Sequence, residues 1–153
     1  MSLHAIELSL SECLANLHST DVGRVAIATP QGPRIVPVNY GLLDEAVVFR
    51  TSPYSELAQQ AIGAELAFEV DSLDFAAHTG WSVVAYGVGA AVDREELARV
   101  RRVADPEPWA AGQRTFYVKI AWRDLSGRRI GARARPRPST PPHSIRSTRA
   151  PAR

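Results

Sequence analysis

The feature that most restricts the fold is a change of apolar period at Asp21. Before it, Leu10, Cys13, Leu14 and Leu17 recur at i, i+3, i+4 and i+7, which makes one stripe on a helix. Ser9 or Ser11 is placed to cap that helix, with Glu12 in its first turn. After Asp21 the chain breaks into short runs rich in β-branched residues: Val22 to Thr29, Arg34 to Tyr40 and Ala46 to Thr51. Turn residues separate them, Pro30-Gln31-Gly32-Pro33 and then Gly41 to Glu45. A parallel crossover needs about a dozen residues or more, and these gaps are far shorter, so the three runs are predicted to form an antiparallel meander. Pro37 lies inside the second run and cannot donate to a ladder, which predicts an edge or bulge position.

The same reading continues down the chain. A short helix is predicted from about Pro53 to Ile62, ended by Gly63, and a strand from Glu65 to Val70. Asp71 to Thr79 reads as a polar loop. Trp81 to Val92 reads as a long strand in which Gly87 and Gly89 mark a bulge or a close backbone approach. Asp93 is placed to cap a third helix carrying Leu97, Val100 and Val103. A Pro/Trp loop spans Asp105 to Gly112, a strand spans Thr115 to Trp122, and Ser126 to Ile130 adds a last short pairing. Hairpin spacing throughout predicts a mainly β fold with peripheral helices, a small six-stranded antiparallel barrel.

A chain of 153 residues with 45% hydrophobic content suits one domain with a real core. Cys13 is the only cysteine, so no disulfide forms within the chain, which fits a reducing compartment. No basic-then-apolar start marks a signal peptide, and no run reaches the roughly 18 apolar residues of a membrane-spanning helix. The expected location is cytoplasmic. Charge is divided unevenly. Residues 1–124 hold 10 Arg/Lys against 16 Asp/Glu, whereas residues 125–153 hold 8 Arg and no acid. From Gly131 onward five prolines and six arginines dominate, a composition too polar to offset chain entropy by burial. The expected organisation is a domain over 1–130 and an extended or disordered tail over 131–153. The tail's charge suits an anionic partner such as nucleic acid. It has no aromatic residue on which bases would stack, which counts against a nucleic-acid partner and favours a plain solubilising or packing role.

The most informative stretch for chemistry is Phe49-Arg50-Thr51-Ser52-Pro53-Tyr54-Ser55. A strand ends in an arginine, two hydroxyl residues follow, and a helix is expected to start at the proline. Arg50 offers a fork of charged donors, and Thr51, Ser52 and Ser55 offer hydroxyls, a set that suits a phosphate. The plain structural alternative is a helix capped by Ser52 with Arg50 on a solvated face. Glu56 is a carboxylate in the same stretch, able to repel a phosphate or to pair with Arg50. Two further stretches stand out: Val36-Pro37-Val38-Asn39-Tyr40, and Gly80-Trp81-Ser82-Val83. Alone, the first reads equally as an edge strand protected by its proline, and the second as a core tryptophan at a strand start.

Together, these stretches resemble the pyridoxamine 5′-phosphate oxidase-like family of flavin-binding split barrels, in particular the small branch that includes nitroimidazole-resistance-like proteins. The resemblance covers about residues 9–130. It includes Asp21-Val22-Gly23-Arg24-Val25, Val-Pro-Val-Asn-Tyr at 36–40, Phe-Arg-Thr at 49–51, Phe-Glu-Val-Asp at 68–71, Gly-Trp-Ser-Val at 80–83 and Gly-Arg-Arg-Ile at 127–130. It implies a six-stranded split barrel that forms a homodimer with a cofactor, FMN or the deazaflavin F420, at each interface site. By the same resemblance, Arg50 and Thr51 hold the phosphate, with Phe49, Ser52 and Ser55 beside them. Pro37, Val38, Asn39 and Tyr40 line the ring, and Trp81 and Ser82 approach it across a strand or from the second subunit. The implied activity is an oxidoreductase that transfers hydride to or from a small organic substrate. A non-catalytic flavin reservoir or sensor on the same fold is the alternative. The family commonly has a lysine where this chain has Glu56, which favours a weaker site, another cofactor or none.

Other chemistries find little footing. The histidines, at 4, 18, 78 and 143, lack metal-ligand spacing. No Ser/His/Asp or Cys/His set suggests nucleophilic catalysis, and Gly87-Val88-Gly89 does not continue as a dinucleotide fingerprint. No catalytic residue is assigned. A flavin enzyme does not require one, because the cofactor carries the redox chemistry.

Overall fold

Ser9 opens the first helix. Its Oγ accepts the backbone N–H of Glu12, and the Glu12 carboxylate accepts the N–H of Ser9 at 2.8 Å, which satisfies two orphan donors at once. The structure is a computed structural model that describes residues 5–131. Helix α1 (Leu10–Leu17) follows a two-residue strand β1 (Ile6–Glu7). Only Cys13 and Leu17 of its apolar stripe are buried, whereas Leu10 is largely exposed.

The strands then run β2 (Val22–Thr29), β3 (Gly32–Leu43), β4 (Ala46–Thr51), β5 (Glu65–Asp74), β6 (Thr79–Ala91) and β7 (Phe116–Ile130). Helix α2 (Glu56–Ala61) lies between β4 and β5, and α3 (Arg94–Val103) between β6 and β7. All pairings are antiparallel, in the order β1-β7-β4-β3-β2-β5-β6, and β6 pairs back onto β7. The six long strands therefore close into a barrel, the expected architecture, with β1 added outside β7. The interior is filled by Val25, Val47, Phe49, Phe68, Val70, Val83, Val118 and Ile120, all buried. A smaller cluster of Leu43, Val48, Val100 and Tyr117 seats α3 on the outside.

Several boundaries differ from the sequence reading, for physical reasons. Gly41 to Leu43 belong to β3, and the turn is Asp44-Glu45, with Asp44 at φ 52°. Gly41 is needed for a different purpose: a Cβ there would run into the carbonyl of Ala104. The polar stretch Asp71 to Asp74 continues β5 because β6 pairs with it as far as Asp74↔Thr79. Thr115 to Trp122 and Ser126 to Ile130 are one strand whose two halves pair with β4 and β6. Gly87 does sit at a register shift against β7. Val103 is exposed, so α3 is anchored by the buried Val100 with the partly buried Leu97 beside it. The residues from 132 onward, where most of the basic tail lies, are outside the described set. Among the described residues no helix is long and apolar enough to cross a membrane.

The feature that positions the site is a seam between β3 and β4. Their ladder runs only from Leu43↔Ala46 to Tyr40↔Phe49. Earlier residues of β3 pair with β2 alone, down to Thr29↔Gly32. The N–H of Tyr40 goes to Asp21 O, so by alternation the nitrogen of Pro37 faces away from β2, where no ladder donor is needed. This is the edge position that the proline predicted.

Candidate functional site

Where β3 and β4 part, a cleft of about 330 Å³ opens. Val36, Pro37, Val38 and Asn39 form one wall, Arg50 and Thr51 the other. Ser55, Glu56 and Leu57 at the start of α2 close one end, and Pro108, Ala110 and Arg114 from the segment before β7 close another.

Arg50 is held on several sides. Its Nε donates to the carbonyl of Arg114 at 2.9 Å, and its Nη1 donates to the carbonyl of Pro106 at 3.4 Å. Asp105 lies 3.6 Å from the same nitrogen. The guanidinium sits 5.0 Å from the centroid of the Tyr117 ring, whose hydroxyl donates to Asp105 at 2.9 Å. Its Nη2 makes no hydrogen bond among the described residues. The arginine is thus fixed with one donor face left open, a quarter of its side chain exposed.

The hydroxyl residues behave differently from the sequence reading. Helix α2 starts at Glu56 with Ser55 as its N-cap, not at Pro53 with Ser52, because Ser55 Oγ accepts the N–H of Ala58 at 3.0 Å. That Oγ also donates its single proton to Ser52 O at 2.8 Å. Thr51 Oγ1, 2.9 Å from Ser55 Oγ, must then be the donor in that pair. The chain Thr51 to Ser55 to Ser52 O is closed on itself, and Ser52 is not among the cleft-lining residues. Glu56 is exposed on the cleft and makes no ion pair with Arg50 or any other described residue.

The remaining candidates are spread out. Asn39 lines the cleft, and its Oδ1 accepts the N–H of Trp109 at 2.9 Å. Tyr40 turns inward. It packs edge-on against Phe68 with ring centroids 4.8 Å apart, and its hydroxyl reaches Leu17 O and Thr20 Oγ1. Burial pushes the Tyr40 phenol's pKa up. Phe49 is fully buried in the barrel. Trp81 and Ser82 lie on β6, paired with Arg129 and Arg128 of β7, and neither lines the cleft of the same chain. The structure thus brings together Pro37, Val38, Asn39, Arg50, Thr51 and Ser55, and leaves Tyr40, Phe49, Ser52, Trp81 and Ser82 outside the cleft wall. The sequence reading did not single out Arg114, Pro108 and Ala110. Their one local signal is the Pro/Trp-rich loop that precedes β7. Among the described residues no group of three or more His, Cys, Asp or Glu is arranged to hold a metal.

The fold agrees with comparisons to known proteins. The family model described as pyridoxamine 5′-phosphate oxidase matches residues 9–129. The protein Rv0080 of Mycobacterium tuberculosis, described as uncharacterized, is 34% identical over 136 residues, spanning 85% of this chain and 88% of that protein. The solved structure of the FAD-binding protein from Mycobacterium smegmatis aligns with a TM-score of 0.69 at 31% identity, over 81% of this chain and 97% of that one. A conserved protein of unknown function from Corynebacterium diphtheriae aligns with a TM-score of 0.65 at 30% identity, over 81% and 96% of the two chains. From its closed six-strand barrel, its seam and its match over nearly the whole described chain, the protein belongs to the pyridoxamine 5′-phosphate oxidase-like family of split barrels.

Proposed function

We propose that the cleft at the seam holds the phosphate end of a flavin nucleotide, and that the protein is a flavin-dependent oxidoreductase acting on a small organic substrate. The observation that carries this reading is Arg50, braced by Arg114 O, Pro106 O and the face of Tyr117, with its outer donors open to the cleft. A guanidinium fixed in this way loses little further freedom on binding and suits the planar oxygens of a phosphate. The similarity to the M. smegmatis FAD-binding protein supports a flavin as the ligand. The cofactor class is FMN or FAD, with the deazaflavin F420 as the third member to test.

The residues present fit such a group. Arg50 takes the phosphate, Pro37 to Asn39 supply a flat wall with backbone groups facing the seam, and Val36 and Leu57 supply apolar contact. When bound, the flavin supplies the hydride chemistry. The chain's part is to bind, orient and exclude water. The cleft is at the small end of the roughly 300–1,000 Å³ usual for ligand pockets. A homodimer, in which β6 of one copy covers the cleft of the other, brings Trp81 and Ser82 to the ring and enlarges the pocket. The unpaired carboxylate of Glu56 favours a second reading, a non-catalytic cofactor binder.

A visible absorption and fluorescence titration with FMN, FAD and F420 tests the first reading. Saturable binding of one of them supports it, and faster oxidation of the reduced cofactor than in free solution separates the enzyme from the passive binder. Absence of binding to all three overturns it.

A further inference from the structure

We infer that Arg114 is a second anion-binding residue of the cleft, supplying the positive charge that position 56 does not. The ligand group it takes is a phosphate monoester or the phosphate end of a nucleotide. Naming that ligand as a flavin rests on the function proposed above; the anion site itself does not.

Arg114 lines the same cleft as Arg50 and Glu56. Its Nε is buried and has no hydrogen-bond partner among the described residues. Guanidinium groups stay protonated and buried donors are almost always paired, so an unmet donor on a residue that lines the cleft leaves a place for an acceptor that the described chain does not supply. The carbonyl of the same residue accepts from Arg50 Nε at 2.9 Å. The backbone of Arg114 therefore braces the first guanidinium, and its side chain lines the same cleft.

The charge balance points the same way. Arg50 and Glu56 cancel across the cleft, and Asp105, 3.6 Å from Arg50 Nη1, offsets more of the arginine's charge. Without Arg114 the lining would offer a dianion no net attraction. The plain alternative is an arginine at a strand start that is merely solvated. The unmet Nε opposes that, since burial keeps this donor from being met by bulk water.

The test is a titration of the full chain and its Arg114→Gln variant with FMN and with riboflavin, which lacks the phosphate. Loss of a charge-assisted hydrogen bond predicts about tenfold or more weaker FMN binding in Arg114→Gln, with riboflavin affinity unchanged. Unchanged FMN affinity, or equal weakening of both ligands, overturns the inference. Arg114→Lys, which keeps the charge and loses the fork, should bind FMN more weakly than the parent and more tightly than Arg114→Gln. If Arg114→Gln does not fold, FMN affinity in Arg114→Lys equal to the parent's overturns the inference. If the parent binds no flavin, the proposed function fails and the anion site is judged with inorganic phosphate. Phosphate should then raise the melting temperature of the parent more than that of the Arg114 variants, and equal or absent shifts overturn the site.

Discussion

The side-chain oxygen of Asn39 accepts the backbone N–H of Trp109 at 2.9 Å, tying the open seam of β3 to the segment that carries Arg114. The same amide donates to Asp21 O at 3.4 Å. Asn39→Ala removes both links, and its expected cost is about 1 kcal/mol. Amide exchange at Trp109 should rise sharply while exchange in β7 stays slow. Unchanged protection at Trp109 would show that the bond does not hold the segment.

Arg50→Ala should weaken FMN binding at least tenfold, since the phosphate loses its charged fork. Arg50→Lys should recover part of that loss only, because lysine cannot reproduce the Nε bond to Arg114 O. A fluorescence titration reads both variants, and parental affinity in Arg50→Ala would remove the site from this cleft.

Glu56→Gln removes an unpaired carboxylate from the cleft. At separations typical of a cleft wall the repulsion is worth about 1 kcal/mol, so FMN affinity should rise about fivefold at low salt. The gain should shrink at high ionic strength, because Glu56 is exposed. Titrations at two salt concentrations check both statements.

Tyr40→Phe separates fold from site. The hydroxyl reaches Leu17 O at 2.5 Å and Thr20 at 2.8 Å, so its removal should cost about 1–2 kcal/mol by leaving a buried carbonyl unmet. Flavin affinity should not change, because the ring faces the barrel core. A fall in affinity without a fall in melting temperature would place Tyr40 at the ligand after all.

Stability should fall with acid through two helix starts. Glu12 is held below its ordinary 4.5 by the N–H and hydroxyl of Ser9 and by Arg129, and Asp93 below its ordinary 3.8 by the N–H groups of Glu96 and Glu95. The folded chain binds these protons less readily than the unfolded chain. Their stabilisation is present above those ordinary values and lost as pH falls through and below them. Glu69 acts in the opposite sense: burial and the neighbouring Asp71 push it up despite Arg24, so its contribution declines as pH rises past 4.5. Melting curves from pH 3 to pH 7 should show the acid loss diminished in Ser9→Ala, and a flatter upper limb in Glu69→Gln.

Where local chemistry decided an element, the sequence showed it. Val22–Thr29 and Ala46–Thr51 are strands at the predicted bounds, because β-branched runs met turn residues on both sides. Ser9 and Asp93 cap their helices for reasons contained within four residues. Where a distant partner decided, local reading failed. Ile6 and Glu7 become a strand only because Arg129 and Arg128 lie opposite. Gly41 looked like a turn residue but serves the approach of Ala104. Of the cleft, Pro37 to Asn39, Arg50 and Thr51 were legible through the family resemblance. Arg114 was not, since its role depends on a contact 64 residues away in sequence.

Strand β7 pairs with β1, β4 and β6, and no other strand closes the barrel. It is also the last strand among the described residues, Phe116–Ile130. A growing polypeptide therefore cannot finish its barrel until that strand has left the ribosome. Until then, β4 and β6 wait with uncovered edges, the state in which nascent β proteins stick to one another or call on chaperones. The Arg50 clamp is subject to the same delay: its bracing partners, from Asp105 to Tyr117, all emerge late, so the pocket takes shape only when the barrel does.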